Sequence, residues 1–497
     1  MSKKKRAIII GAGIGALASA IRLAVMGFEV EVFEKNRYVG GKLAQLVVGD
    51  YLFDAGPSLL TQPENIEELF EIANEPIEAY FTYTAQPISC KYFFDDGTVV
   101  NAYTDIEKFA SELENNVGEE GQNLKAYLEQ SANTYNDIGE IFLNYSLHKR
   151  STLIKAPIKQ ALKTVKAAFL FKTLHDLNQA SFSKLKTVQI FDRYATFNGS
   201  NPYQAPGMLS LIPHLDNNIG AFYPSGGMIS ITNALYKLAM KKKVKFYTDS
   251  LVTQIITENK EAKGIVVNGL TYLADVVVSN MDIYFTYKKL LQQEEVAKKI
   301  LKQERSSSAF IFYWGINYSF PQLELHNIFF AKDYKAEFNS LFTTKKLYED
   351  PTVYINITSK CEPGVHAPLG KENWFVMVNA PANTGQDWKA FRERYREIII
   401  RKLNLILKID IEPLIEVEEV LTPVTIESKT ASYMGSLYGT SSNGKMAAFL
   451  RHPNFTNKMK GLYFVGGSVH PGGGIPLCLQ SAKIMSEIVR EDYEIIN

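Results

Sequence analysis

Near the start of the 497-residue chain, Gly11-Ala12-Gly13-Ile14-Gly15-Ala16 follows the apolar run Ala7-Ile8-Ile9-Ile10, and Glu34 stands 21 residues beyond Gly13. A glycine at the first position permits a tight turn, and one at the second lets a pyrophosphate approach the backbone. Ala16, in place of a third glycine, is small enough for a helix to pack closely on a strand. The free N–H groups at the start of that helix favour an anion, and a carboxylate at position 34 can accept hydrogen bonds from ribose hydroxyls. The chemistry of these residues is dinucleotide binding, with NAD and FAD both compatible. Gly40-Gly41-Lys42, a second glycine pair followed by a cation, suits the longer FAD, whose pyrophosphate needs a further clamp.

A second glycine cluster, Gly466, Gly467, Gly472, Gly473 and Gly474, places five glycines within nine residues, between the apolar run Leu462–Val465 and a helical pattern opening at Pro476. Such a cluster lets backbone come close to something flat or bulky, and proline suits the first helical turn. The helix N-terminus would then point at the pyrimidine end of an isoalloxazine and stabilise the negative charge of reduced flavin. His214, in Ile212-Pro213-His214-Leu215-Asp216, and His470, beside the glycines, are the candidate proton acceptors or cation stabilisers. A structural hydrogen-bonding role is the alternative for each.

The elements that must position these residues follow in order. Arg6–Ile10 reads as a buried parallel strand, Leu17, Ala20, Ile21 and Ala24 mark one helix face, Gly27 caps it, and Glu29–Phe33 alternates as a second strand. This is the opening of a Rossmann-like α/β fold. Short β-branched runs at 244–256, 264–267 and 274–279 predict an extra sheet on that fold, and aromatic-rich alternation near 80–105 and 305–380 predicts the mixed sheet of a substrate domain.

The charge is nearly balanced, 54 Lys+Arg against 53 Asp+Glu, which argues against a dedicated nucleic-acid binder. With 46% hydrophobic residues the chain can fill two or three domain cores. Cys90, Cys361 and Cys478 lie far apart, and the seven histidines show no ligand spacing, so no disulfide framework and no metal site is expected and a reducing compartment is the natural reading. No Gly-x-Ser-x-Gly occurs, and Gly439-Thr-Ser-Ser-Asn-Gly444-Lys445-Met446 lacks the hydroxyl and the preceding strand of a phosphate loop. The basic N-terminus followed by apolar residues imitates a signal peptide, but Gly11, Gly13 and Gly15 are better explained by the nucleotide turn. No uncharged run reaches the ~18 residues a membrane-spanning helix requires. Between 149 and 186, however, nine cations stand against one acid, interleaved with Leu, Ile and Phe. That pattern suits docking at an anionic membrane surface; an ordinary solvated helix is the alternative.

Phe53-Asp54-Ala55-Gly56-Pro57-Ser58-Leu59-Leu60-Thr61, Gly199-Ser-Asn-Pro-Tyr-Gln-Ala-Pro206, Tyr223-Pro-Ser-Gly-Gly-Met228 and His470-Pro-Gly-Gly-Gly-Ile-Pro476 together resemble the carotenoid (phytoene-type) desaturases, FAD enzymes of the amine-oxidase-like flavoproteins. Asp192–Gly199 and Ser436-Leu437-Tyr438-Gly439 look most like the branch that desaturates C-3,4 of hydroxylated or methoxylated carotenoid ends. The resemblance implies FAD contacts at Gly11, Gly13, Ala16, Glu34, Lys35, Gly41, Lys42, Val252, Gly466, Gly467, Gly474 and Ile475, with Lys42 standing where arginine is usual. It implies substrate contacts at Ser58, Tyr194 and Tyr438, and a place for Arg193 with Tyr194 at the hydroxyl end, a buried ion-pair partner being the equal alternative for Arg193. It also implies a discontinuous FAD domain (1–62, 213–285, 436–497), a substrate domain (63–140, 286–435) and a helical membrane-associating part (141–212). The activity expected is removal of a hydride, to flavin N5, and a proton from adjacent carbons, by an enzyme on the cytoplasmic side of the membrane. A quinone or dioxygen would then take the electrons. A redox-neutral carotenoid isomerase shares this site, and lipid-carrier proteins share the nucleotide fold; intact glycine turns at both ends argue against the carrier.

Overall fold

Five short strands form a parallel sheet in the order Leu462–Phe464, Val276–Ser279, Arg6–Ile10, Glu29–Phe33, Lys245–Tyr247. The structure, a computed structural model, describes residues 4–155, 172–444, 447 and 450–495. Both faces of this sheet are covered, so residues 7–10, Val276–Ser279 and Leu462–Phe464 are almost wholly apolar, while Glu29, Glu31 and Lys245 keep charges toward the Lys245–Tyr247 edge. The two-residue alternation of a strand divides the side chains between the faces. Ala7, Ile9, Val276 and Val278 pack under the helices Ile14–Val25, Ile229–Lys241 and Ile475–Asp492. Ile8, Ile10 and Val277 pack on the antiparallel trio Val252–Glu258, Glu261–Val267 and Leu270–Leu273; of the runs expected to form an extra sheet, 264–267 and the end of 244–256 do so, whereas Lys245–Tyr247 and Val276–Ser279 join the parallel sheet. Val276–Ser279 lies between the strands from the two ends of the chain, with Ile10 paired to Ser279 and Val277 to Leu462. That parallel pairing carries both glycine turns to the same, C-terminal end of the strands.

The second sheet has seven strands, in the order Ile415–Leu421, Ser308–Ile316, Glu372–Ala380, Val353–Asn356, His326–Phe329, Ile88–Phe93, Val99–Tyr103. Only the His326–Phe329 and Ile88–Phe93 pair is parallel. Ser308–Ile316 is buried along its whole length and again splits its residues. Phe310, Phe312, Trp314 and Ile316 pack on the helix Trp388–Leu407 through Tyr395, Ile399 and Leu403. Ala309, Ile311 and Tyr313 face the other way, beside Tyr51, Phe53 and Phe375. This inner face roofs a cavity that begins at the parallel sheet.

Among its described residues the stretch 141–212 holds the helices Arg150–Lys155, Leu174–Ser181 and Leu185–Asp192, and the 3₁₀ segments Arg193–Asn198 and Gly207–Leu211. Lys159, Lys163 and Lys166, the middle of the basic pattern, lie outside the described residues. At its edges two of the nine cations are engaged within the molecule: Lys149 Nζ is 2.7 Å from Asp492, and Lys186 pairs with Asp96. Ile154 and Leu185, at 86% and 78% exposure, leave apolar side chains in the open on either side of the undescribed segment. Among the described residues no helix is long and apolar enough to cross a membrane.

Candidate functional site

The first turn leaves the Arg6–Ile10 strand at Gly11, whose φ of +86° favours glycine. Gly13 then caps the Ile14–Val25 helix with no side-chain hydrogen bond, so the N–H groups of the first helical turn stay free for a ligand. Glu34 is 6% exposed and its carboxylate is held from two sides, Oε2 accepting from Ala12 N at 2.8 Å and Oε1 from Asn36 N at 2.8 Å. The acid and the glycine turn are thereby locked together. Gly40 N donates to Ala12 O at 2.8 Å, and a Cβ on Gly41 would lie 3.2 Å from Gly13 Cα. The second glycine pair therefore backs directly onto the first turn.

The C-terminal cluster meets the same place. A Cβ on Gly15 would lie 3.3 Å from Gly466 N, and one on Gly467 would lie 3.2 Å from Gly473 Cα. Gly474, at φ +111°, caps the Ile475–Asp492 helix, again without a side-chain hydrogen bond and with Pro476 in its first turn. Two helix N-termini, from opposite ends of the chain, open into one cavity.

Of three cavity residues that sequence reasoning passed over, two hold this junction. Asn280, just past Val276–Ser279, wedges its carboxamide between the turns: Nδ2 lies 2.7 Å from the Cβ position of Gly13, and Oδ1 lies 2.5 Å from that of Gly466. Arg451, 2% exposed, donates from Nη2 to Thr440 O at 2.8 Å and from Nη1 to Tyr438 O at 3.0 Å, and burial pushes its guanidinium down to about 10. His326 lines the far wall of the cavity. A polar residue closing an apolar strand was a weak signal for Asn280; nothing local marks the other two.

The cavity, about 1160 Å³, runs continuously from the glycine turns to the inner face of the seven-stranded sheet. Gly11, Gly13, Glu34, Lys35, Gly41, Lys42, Val252, Gly466, Gly467, Gly474, Ile475, Ser58, Arg193 and Tyr438 all line it. Tyr438 is clasped between Gly199 and Gly473, where an added Cβ on either would come within 2.8 Å of it. Ser58 Oγ lies 2.7 Å from Tyr354 Oη. The two lysines are partly committed elsewhere. Lys35 Nζ donates to Ser428 O at 2.7 Å, and Lys42 Nζ to Leu437 O at 2.8 Å, with Ser436 O at 3.4 Å. Burial lowers the Lys42 ammonium to about 8, and of its three donors one is left for the cavity.

Four expected site residues lie off the lining. Ala16 is fully buried in the helix–strand packing beneath the turn. Tyr194, 1% exposed, has its hydroxyl turned away: it donates to Asp216 Oδ2 at 3.1 Å and accepts from Asn217 Nδ2 at 2.8 Å. His214 receives Asn218 Nδ2 on its Nδ1 at 2.8 Å and lies against the Tyr135 ring. His470 is fully buried, its Nε2 3.1 Å from Tyr145 O, and burial lowers its imidazole to about 4. The Tyr194 hydroxyl, His214 Nδ1 and His470 Nε2 find their partners in the packing, while His470 Nδ1 is buried without one. Among the described residues no cluster could hold a metal ion.

The residues present fit a flavin dinucleotide: a side-chain-free cradle at Gly11–Gly15, a pinned carboxylate at Glu34, and a second cradle at Gly466–Gly474 in the same cavity. The profile of the family described as flavin containing amine oxidoreductase matches residues 17–489. The chain is 49% identical to a 1-hydroxycarotenoid 3,4-desaturase of Flavobacterium sp. (strain P99-3), over 98% of this chain and 99% of that one. It is 31% identical to a 4,4'-diapolycopene oxygenase of Methylomonas sp, over 99% of each. An oxidoreductase from Methanosarcina mazei has the same fold, with a TM-score of 0.60 at 16% identity, over 98% of this chain and all of that one. The chain belongs to the flavin-containing amine oxidoreductases, and its cofactor is FAD.

Proposed function

We propose that this protein is a membrane-associated carotenoid desaturase, which removes a hydride and a proton from C-3 and C-4 of a 1-hydroxylated chain end. The observation that carries this reading is the continuity of one cavity, cofactor cradle at one end and apolar sheet face at the other. Ile311, Phe375 and Met377 of the sheet, with Phe142, Leu143 and Leu215 from the helical side, make a dry wall for a long hydrocarbon. When bound, FAD supplies the two-electron acceptor for such a C–H bond. The chain's own part is orientation and exclusion of water: Tyr438, held against Gly473, fixes the wall beside the second cradle, and Ser58 and Tyr354 add a hydrogen-bonded pair further along.

A carotenoid drawn into water would lose ~25 cal/mol for each Å² of apolar surface exposed, so it has to be received directly from lipid. The basic segment 149–186 is proposed as the docking element at an anionic, cytoplasmic membrane face. Its cations outnumber its acids nine to one, and Ile154 and Leu185 are exposed beside it. A quinone in the same membrane or dioxygen would reoxidise the flavin.

The test is anaerobic. FAD-loaded enzyme is mixed with liposomes carrying a 1-hydroxylated carotenoid, and flavin and pigment absorbance are followed together. Desaturation bleaches the flavin and moves the pigment band to longer wavelength by one conjugated bond. An isomerase changes the pigment and leaves the flavin oxidised, which would overturn the reading.

A further inference from the structure

Among the apolar walls of the cavity one patch is polar. His326, 4% exposed, has Nδ1 2.7 Å from Tyr354 Oη and 3.2 Å from Asn356 Nδ2. An amide nitrogen only donates, so Nδ1 is the acceptor and the ring proton sits on Nε2, which is buried without a partner. Asp216, 1% exposed, accepts from Tyr194 on Oδ2, 3.7 Å from Arg193, while its Oδ1 is buried and unpartnered. Arg193 gives Nη2 to Tyr92 Oη at 2.8 Å and lies over the rings of Tyr92, Tyr194 and Phe197, and its Nε too is unpartnered. His326, Asp216 and Arg193 all line the cavity. Burial, with the Arg193 charge nearby, depresses the imidazole of His326 to about 3, so it stays a neutral donor.

Two free N–H donors and one free carboxylate oxygen are an incomplete hydrogen-bond set, and buried groups of this kind are normally met by something. A ligand carboxylate would face Asp216, and a ligand ammonium would face Arg193. A neutral hydroxyl suits all three, since it donates once and accepts twice. We infer that Arg193, Asp216 and His326 grip the hydroxyl at the end of the substrate chain, O–H to Asp216 Oδ1 and N–H from His326 Nε2 and Arg193 Nε to the oxygen. Tyr194 is a positioning residue that orients Asp216. The inference rests on the proposed function and extends it: the oxygen on C-1 is three bonds from C-3, so the grip also sets which bond faces the flavin. The Arg193 end of the patch is tied to the cofactor side by packing: the Arg193–Asn198 turn runs into Gly199, whose Cβ position lies 2.8 Å from Tyr438 Cδ2, and Tyr438 packs in turn against Gly473 of the second glycine cradle.

The experiment compares FAD-loaded wild type, His326→Leu and His326→Gln on a 1-hydroxylated carotenoid and on its methyl-ended counterpart of equal length. Binding from liposomes, kcat/KM and the position of the new double bond are measured. The wild type should favour the hydroxylated end by about 100-fold or more, as sites built around a hydroxyl do. His326→Leu should cut that preference at least about 10-fold and scatter the bond position, and His326→Gln, which keeps an N–H donor, should restore both. Unchanged preference and bond position in His326→Leu would overturn the inference. So would equal binding of the two carotenoids by the wild type, a measurement that needs no variant to fold. If the wild type binds the hydroxylated chain selectively yet desaturates nothing, the hydroxyl grip stands and the proposed reaction falls.

Discussion

Gly13→Ala isolates the junction of the two glycine turns. Gly13 has φ −71° and ψ 175°, a conformation open to any residue, so alanine adds no backbone strain. Its Cβ would fall 2.7 Å from Asn280 Nδ2, too close to stand. The same carboxamide also sits over the side-chain-free backbones of Gly15 and Gly466, so its displacement is felt by both turns. The atom displaced is the end of a short side chain, so the cost belongs in the lower half of the overpacking range, about 1–2 kcal/mol. Gly466→Ala meets the same side chain at 2.5 Å with φ at +99°, and the left-handed backbone adds about 1–2 kcal/mol more. Thermal unfolding of the FAD-free protein is the assay, with each alanine made in wild-type and Asn280→Ala backgrounds. Removing the carboxamide should recover most of the Gly13→Ala loss and about half of the Gly466→Ala loss. Equal destabilisation by Gly13→Ala in both backgrounds would refute the wedge. FAD affinity gives a second reading, since a methyl group that also obstructs the pyrophosphate is not rescued by shortening Asn280.

Two further outcomes follow from buried groups. Burial raises the Asp54 carboxyl to about 7, so the folded protein keeps a proton that the unfolded chain releases near pH 4. That proton favours the folded state below pH 4; the benefit is lost as pH rises from about 4 to 7 and stays lost above. Asp54→Asn should therefore flatten the fall of Tm across this window, gaining about 1–3 kcal/mol at pH 8 relative to pH 4, and parallel Tm curves for the two proteins would contradict it. His214 is off the cavity and bonded to Asn218, so His214→Gln should leave kcat within about threefold while costing about 1 kcal/mol of stability, measured by steady-state turnover and denaturant unfolding. A loss of turnover beyond a hundredfold would return His214 to the chemistry.

Much of the frame was legible because its causes are local. The order of strand, glycine turn, helix, strand and acid from Arg6 to Glu34 is the order found, and the aromatic alternation in Phe310–Ile316 foretold a strand of a second, mixed sheet. Ser58, Arg193 and Tyr438, singled out in the sequence, line the cavity. The misplaced residues share a physical reason. Tyr194 and His470 stand in segments that do touch the site, beside Arg193 and Pro471, but their side chains turn into the packing. One residue's step along an irregular turn decides whether a ring faces the cavity or the core, and no periodicity records it. Asn280, Arg451 and His326 escaped for a related reason: their partners are remote in sequence, as with the pairing of Asn280 against Gly13 and Gly466.

What the sequence determined by itself is therefore the set of backbone conformations: where glycine is needed, where a helix can begin, and which residues of a strand share a face. These depend on sterics and on neighbours one to four positions away. Only the tertiary structure decided which polar atoms were left without partners around the cavity, because that follows from packing between segments far apart in the chain. The same packing, by setting the pairing of Val276–Ser279 with strands from both ends, brought Gly13 and Gly466 to opposite sides of a single asparagine.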